Sequence, residues 1–235
     1  MTDGAEGHRA GVDMMMEAIT LSRNETESLC MKAARGAGFS WGLAEEAGFA
    51  AGWLAARGID GTAPLLQLLN QRSRRPAEAG APRLTPGYWH CSDSATLCPI
   101  ATGAALLDTA LLADGPFSRE IRLDPVSMPV LILPCLARAA QIGANALTVD
   151  MQGKSFVFAS DGTVDPLPAS GFIGQAALAM TVRTIPHLAV GRARQFILPS
   201  ISRAVLDGLN AFALQTTVPA TDISRRGAGS TTLDD

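Results

Sequence analysis

The chain is 235 residues long, 47% apolar and 17% charged, with 22 acidic against 19 basic residues and a net charge of −3. That length suits one sizeable domain, or two small ones. Charged residues fall below the roughly one quarter usual in soluble proteins, so either the core is generous or an apolar face meets a partner, and the basic excess that nucleic-acid binding needs is missing.

Residues 1–19 lack periodicity and read as a disordered extension, with residues 20–235 forming a single domain. Met1 to Asp13 holds no apolar block of the kind a secretory signal requires, which points to a cytoplasmic chain. In that setting Cys30, Cys91, Cys98 and Cys135, irregularly spaced, read as thiols. Ser22 and Glu25 stand at capping-box spacing and open a first helix that runs to about Ala37 and ends at Gly38, with Leu29, Cys30, Ala33 and Ala37 along one face. Ser40 caps a second helix, Trp41 to Arg57, which Gly58 closes in the left-handed conformation. Its Gly42, Gly48 and Gly52 each cost about 1 kcal/mol of helix propensity against Ala, so close packing against another backbone has to compensate. Pro64 to Asn70 forms a short third helix.

Residues 71–87, rich in Arg, Pro and Gly, read as a mobile surface loop. They include the one concentrated positive segment, Arg72-Ser73-Arg74-Arg75, which leaves an anion-binding lid as the alternative. Ile100 to Leu112 reads as a helix and Glu120 to Asp124 as a half-exposed strand. The apolar run Val126 to Leu136 is broken by Pro129 and Pro134 and is too short to span a bilayer, so no membrane segment is expected. Ala146 to Ser160 predicts a hairpin. A Gln152-Gly153 turn would pair Val149 with Phe156 and Leu147 with Phe158 on one face, leaving Thr148, Asp150, Ser155 and Val157 on the other. Pro134 to Gly143, about Phe172 to Ala179, and Pro199 to Gln215 read as further helices. Without regular alternation of strands and helices, the expected class is α+β: a helical N-terminal layer on a mixed or antiparallel sheet.

Gly-rich phosphate loops of the dinucleotide and P-loop kinds are absent from the sequence, and no cofactor or metal is called for. His8 and His187 sit apart. Tyr88-Trp89-His90-Cys91-Ser92-Asp93 gathers His, Cys and Asp, which reads as structural anchoring, with a metal or Cys–His site as alternatives. Gly227-Ala228-Gly229-Ser230 beside Arg225 and Arg226 is either frayed terminus or an anion cradle. The densest constellation runs from Arg35 through Ser40 and Trp41 to Glu45 and Glu46. A helix tip capped by Ser40 beside Arg35 favours a carboxylate or phosphate, whereas Glu45 and Glu46 point about 100° apart and form no acid–base dyad. The competing reading makes Trp41 a core anchor and lets Arg35 bridge to a glutamate.

The stretches Lys32-Ala33-Ala34-Arg35-Gly36-Ala37-Gly38 and Trp41-Gly42-Leu43-Ala44-Glu45-Glu46-Ala47-Gly48, with the ending Pro219 to Gly229, resemble a family of short proteobacterial proteins of unknown function. That resemblance implies no particular reaction. Residues 21–70, with Arg57-Gly58-Ile59-Asp60, are also similar to the helical start of the malate/L-lactate dehydrogenase family, whose catalytic histidine lies in a Ser-His-Gly after such an Asp. Here those positions hold Gly61-Thr62-Ala63, so the likeness implies a scaffold without its proton donor. The expectation is a homo-oligomeric protein that binds a small anionic ligand through Arg35, Ser40, Trp41, Glu45 and Arg225. The alternative is a non-catalytic accessory or interaction subunit.

Overall fold

In the computed structural model, which describes residues 18–72, 79–92, 96–113, 115–167, 174–185 and 196–216, the first helix forms where its capping box places it. α1 spans Arg23–Gly36: the Ser22 side chain accepts from the Glu25 amide, and the Glu25 carboxylate accepts from the Ser22 amide at 2.8 Å. α2 follows at Trp41–Ala55 with Ser40 as its N-cap, and Gly58 lies beyond its end at φ +71°. Gly48 and Gly52 of α2 do what their cost requires at the α1 contact. A Cβ on Gly48 would stand 2.7 Å from the Glu27 carbonyl oxygen, so only a bare Cα lets the two helices meet there. α3 is longer than predicted, Thr62–Arg72, because Asp60 Oδ1 accepts from the amide of Thr62 at 2.8 Å and so starts the helix two residues before Pro64.

Four expectations need correction. Ordered structure starts inside the 1–19 extension: β1 (Ala18–Thr20) pairs antiparallel with β9 (Ser200–Ser202), and the last helix, α6 (Arg203–Leu214), is correspondingly shorter than Pro199 to Gln215. The 71–87 segment contains the end of α3 and the strand β2 (Arg83–Thr85), which turns through Pro86-Gly87 into β3 (Tyr88–His90). All three β2 residues are exposed, so no apolar alternation betrays the strand. The helix expected over Phe172 to Ala179 gives way to strand from residue 177 onward: β8 is Ala177–Ile185, with Leu178, Met180 and Val182 buried at period two while Ala179 and Arg183 are exposed. Tertiary pairing overrides the helix propensity of its alanines.

β8 sits at the middle of a seven-stranded sheet ordered β2-β3-β4-β8-β5-β6-β7. β4 (Ile121–Ser127) flanks it on one side and β5 (Ala146–Met151) on the other. Every neighbour pair is antiparallel except β3 with β4, which makes the sheet mixed. The predicted hairpin is present as β5 and β6 (Lys154–Phe158), with Val149 opposite Phe156 and Leu147 opposite Phe158. All four are buried, and their turn places Gln152 at φ +48° and Gly153 at φ +71°. β7 (Val164–Asp165) closes that edge. α5 (Leu133–Gly143), entered through a 3₁₀ turn at Pro129–Ile132, covers the apolar face of the hairpin. α4 (Pro99–Asp108) stops four residues short of Leu112 and packs between α2 and α5. The architecture is α+β, and among the described residues no helix is long and apolar enough to cross a membrane.

Candidate functional site

α1 and α6 come together across most of the chain because Gly36 faces the Phe212 carbonyl, where any Cβ would collide. Their C-terminal ends and the first residue of α2 enclose a cleft of about 620 Å³, with Lys32, Arg35 and Gly36 on one wall, Trp41 at the rim, and Asn210, Leu214 and Gln215 on the other. Lys32 and Arg35 reach it together because residues three apart share a helix face.

Neither side of the competing reading for Trp41 and Arg35 is what forms. The Trp41 ring is 65% exposed, whereas Trp53 and Trp89 are buried. The Arg35 guanidinium lies over that ring, 4.6 Å from its centre, and donates through Nη1 to the carbonyl of Phe39. That contact clamps the Ala37-Gly38-Phe39 turn between the helices and bypasses both glutamates. A guanidinium on an indole face retains its remaining N–H groups in the ring plane for an acceptor.

The other sequence-derived candidates are distributed differently. Ser40 accepts from the Leu43 amide at 3.4 Å and acts as the cap. Glu45 is exposed and lies outside the cleft lining, while Glu46 turns inward to Arg138 at 3.7 Å. Burial pushes the Glu46 carboxyl above its ordinary range, and Arg138 only partly opposes that. Arg225, Arg226 and the Gly227 to Ser230 stretch lie outside the described residues, as do His8, Asp93 and His187. Tyr88 stacks on His90 with ring centres 5.4 Å apart, and its hydroxyl donates to Asp124 at 2.6 Å, which fits structural anchoring. The four cysteines are free thiols. Lys32, Asn210 and Leu214 were missed. Helical spacing from Arg35 could have found Lys32, but nothing local in the sequence brings α6 against α1.

At the dehydrogenase-like positions, Thr62 is buried, and both its amide and its hydroxyl donate to Asp60 Oδ1. The segment is a helix start with no proton donor of the histidine kind.

An α+β protein with an indole and two cations at a helix junction is thus the class that fold and cleft define. Residues 21–105 match the family described as Protein of unknown function (DUF3726). The uncharacterised family signalled by the Lys32 and Trp41 motifs therefore covers α1 to α3, β2, β3 and most of α4. No curated protein and no solved structure matches the chain, and nothing in the comparisons supports the dehydrogenase likeness.

Proposed function

We propose that the cleft between α1, α2 and α6 binds a small organic anion that carries an apolar or aromatic part, in the cytoplasm. The observation that carries this reading is the exposed Trp41 ring held under Arg35 in the wall of a cleft that also receives Lys32. An indole left largely in water forgoes the burial a large aromatic usually finds, and here it offers a flat platform beside two positive charges. Arg35 and Lys32 would meet the carboxylate or phosphate, Trp41 and Leu214 the apolar part, and Asn210 a hydroxyl or amide.

Trp41 also supplies the assay, since the other tryptophans are buried. Organic acids and phosphates are screened by thermal shift, and those that raise the melting temperature are titrated against tryptophan emission. Arg35→Ala should weaken binding about ten- to a hundredfold, the loss of a charge-assisted hydrogen bond of about 1.5–3 kcal/mol. Trp41→Phe should remove the emission change without lowering the melting temperature of the free protein. Identical melting curves with every compound would sink the reading.

A second reading, in which the same face docks a second copy of the chain or a larger partner as an accessory subunit, is favoured by Leu214, which is 67% exposed on the wall opposite Lys32 and Arg35. Light scattering after size exclusion separates the two, with Leu214→Ser dissociating an oligomer built on this face.

A further inference from the structure

The cleft between α1, α2 and α6 offers more hydrogen-bonding capacity than a simple organic acid would use. Among the described residues Lys32 has no ion pair, and the side-chain amides of Asn210 and Gln215 have no hydrogen-bond partner, although all three line the same space as the Trp41 ring. The Arg35 guanidinium takes one face of that ring, 4.6 Å from its centre, while the indole as a whole stays 65% exposed. The opposite face is therefore open to a second flat group. Arg35 gives Nη1 to the Phe39 carbonyl and keeps its other N–H groups. Two helices end at this cleft, and bare carbonyl oxygens there would repel an anion. They are covered: the carbonyls of Ala33, Ala34 and Arg35 in α1, and of Phe212 and Ala213 in α6, accept from backbone amides of the turns that follow.

We propose, resting on the reading of this cleft given above, that its ligand is a nucleoside 5′-monophosphate. A phosphate monoester carries about 1.5 to 2 negative charges at neutral pH, which matches the two cations Lys32 and Arg35. A single carboxylate would leave one of them uncompensated, and a triphosphate would exceed both. A nucleobase supplies a flat ring for the open indole face, and stacking on an aromatic side chain is a general mode of base recognition. Its edge also presents donors and acceptors in one plane, which the Asn210 and Gln215 amides meet in the way such amides read adenine. A hydrocarbon ring acid would leave both amides without a partner. The cleft, about 620 Å³, falls within the roughly 300–1,000 Å³ usual for small-molecule sites. A single nucleotide suits it better than a strand, since a chain of net charge −3 lacks the basic excess that a polynucleotide requires.

The test is calorimetric titration of the full chain with the 5′-monophosphates of adenosine, guanosine, cytidine and uridine, with inorganic phosphate, the free nucleosides and indole-3-acetate as partial probes. At least one nucleotide should give saturable heat and a change in tryptophan emission, binding about tenfold or more tightly than inorganic phosphate or its own nucleoside. Asn210→Leu should weaken that nucleotide about tenfold and leave indole-3-acetate unaffected, whereas Arg35→Ala should weaken both. If indole-3-acetate or another organic acid binds and no monophosphate does, the nucleotide assignment is overturned and the cleft reading stands. If no probe and no organic acid binds, both fall. A nucleotide that binds no more tightly than inorganic phosphate, or whose affinity Arg35→Ala leaves unchanged, also overturns the assignment. The wild-type comparison decides the matter even if a variant fails to fold.

Discussion

The guanidinium of Arg72 rests on the ring of Phe39, a residue fully withdrawn from solvent whose carbonyl at the same time accepts from Arg35. One side chain and its own backbone thereby position two cations that sequence alone places 37 residues apart. Phe39→Ala should cost about 3–5 kcal/mol, the usual range for truncating a buried phenylalanine. Phe39→Leu should cost less and leave binding at the α1–α2–α6 cleft unchanged, because the backbone carbonyl that accepts from Arg35 survives. Urea unfolding followed by titration of a cleft ligand checks both statements.

The glycines of α2 should respond to alanine in opposite directions. Gly42 has nothing within 4 Å of a would-be Cβ, so Gly42→Ala should stabilise the chain by about 0.5 kcal/mol. Gly48 abuts the backbone of α1, and Gly48→Ala should destabilise it by about 1–3 kcal/mol. Equal shifts of the two denaturation midpoints would contradict the close helix contact.

Gln152 holds a positive φ in the β5–β6 turn, a conformation that asparagine adopts more readily. Gln152→Asn should therefore raise stability by about 0.5 kcal/mol, and Gly153→Val should lower it by about 1–2 kcal/mol. Thermal melts of the two variants, compared with the parent, test the turn.

Two carboxylates give opposite contributions to acid stability. Hydrogen bonds from the Ser22 side chain and backbone hold the Glu25 carboxyl below its ordinary range. Its contribution is present above the unfolded value, about 4.3, and is lost as pH falls through the lower folded one. Glu46 is shifted up by burial, so the folded chain takes that proton first and gains stability as pH falls from the raised value to about 4.3. Ser22→Ala should cost about 1 kcal/mol at pH 7 and flatten the acid loss, and Glu46→Gln should abolish the gain. Urea midpoints measured from pH 7 to pH 3 separate the two.

What the sequence disclosed was local. The Ser22–Glu25 box, the Ser40 cap and the register of Leu147 with Phe158 each depend on residues within a dozen positions of one another, and each is present. The missed elements depend on distant partners. β1 exists only because Ile19 meets Ile201, and β8 is a strand because β4 and β5 pair with it on both sides. At the candidate site Arg35 and Trp41 could be picked out, but the exposure of Trp41 could not, since a tryptophan amid alanines reads as core. Arg72, in a run of exposed-looking arginines, gave no hint that Phe39 would bury it.

The far wall of the cleft comes from Asn210 to Thr216, whereas its cations and indole come from the first 41 residues. During synthesis the ribosome thus releases the charged half of this cleft long before the half that encloses it. A nascent chain arrested before residue 210 would expose Lys32, Arg35 and Trp41 on an open surface, and completion of the cleft would await the last helix.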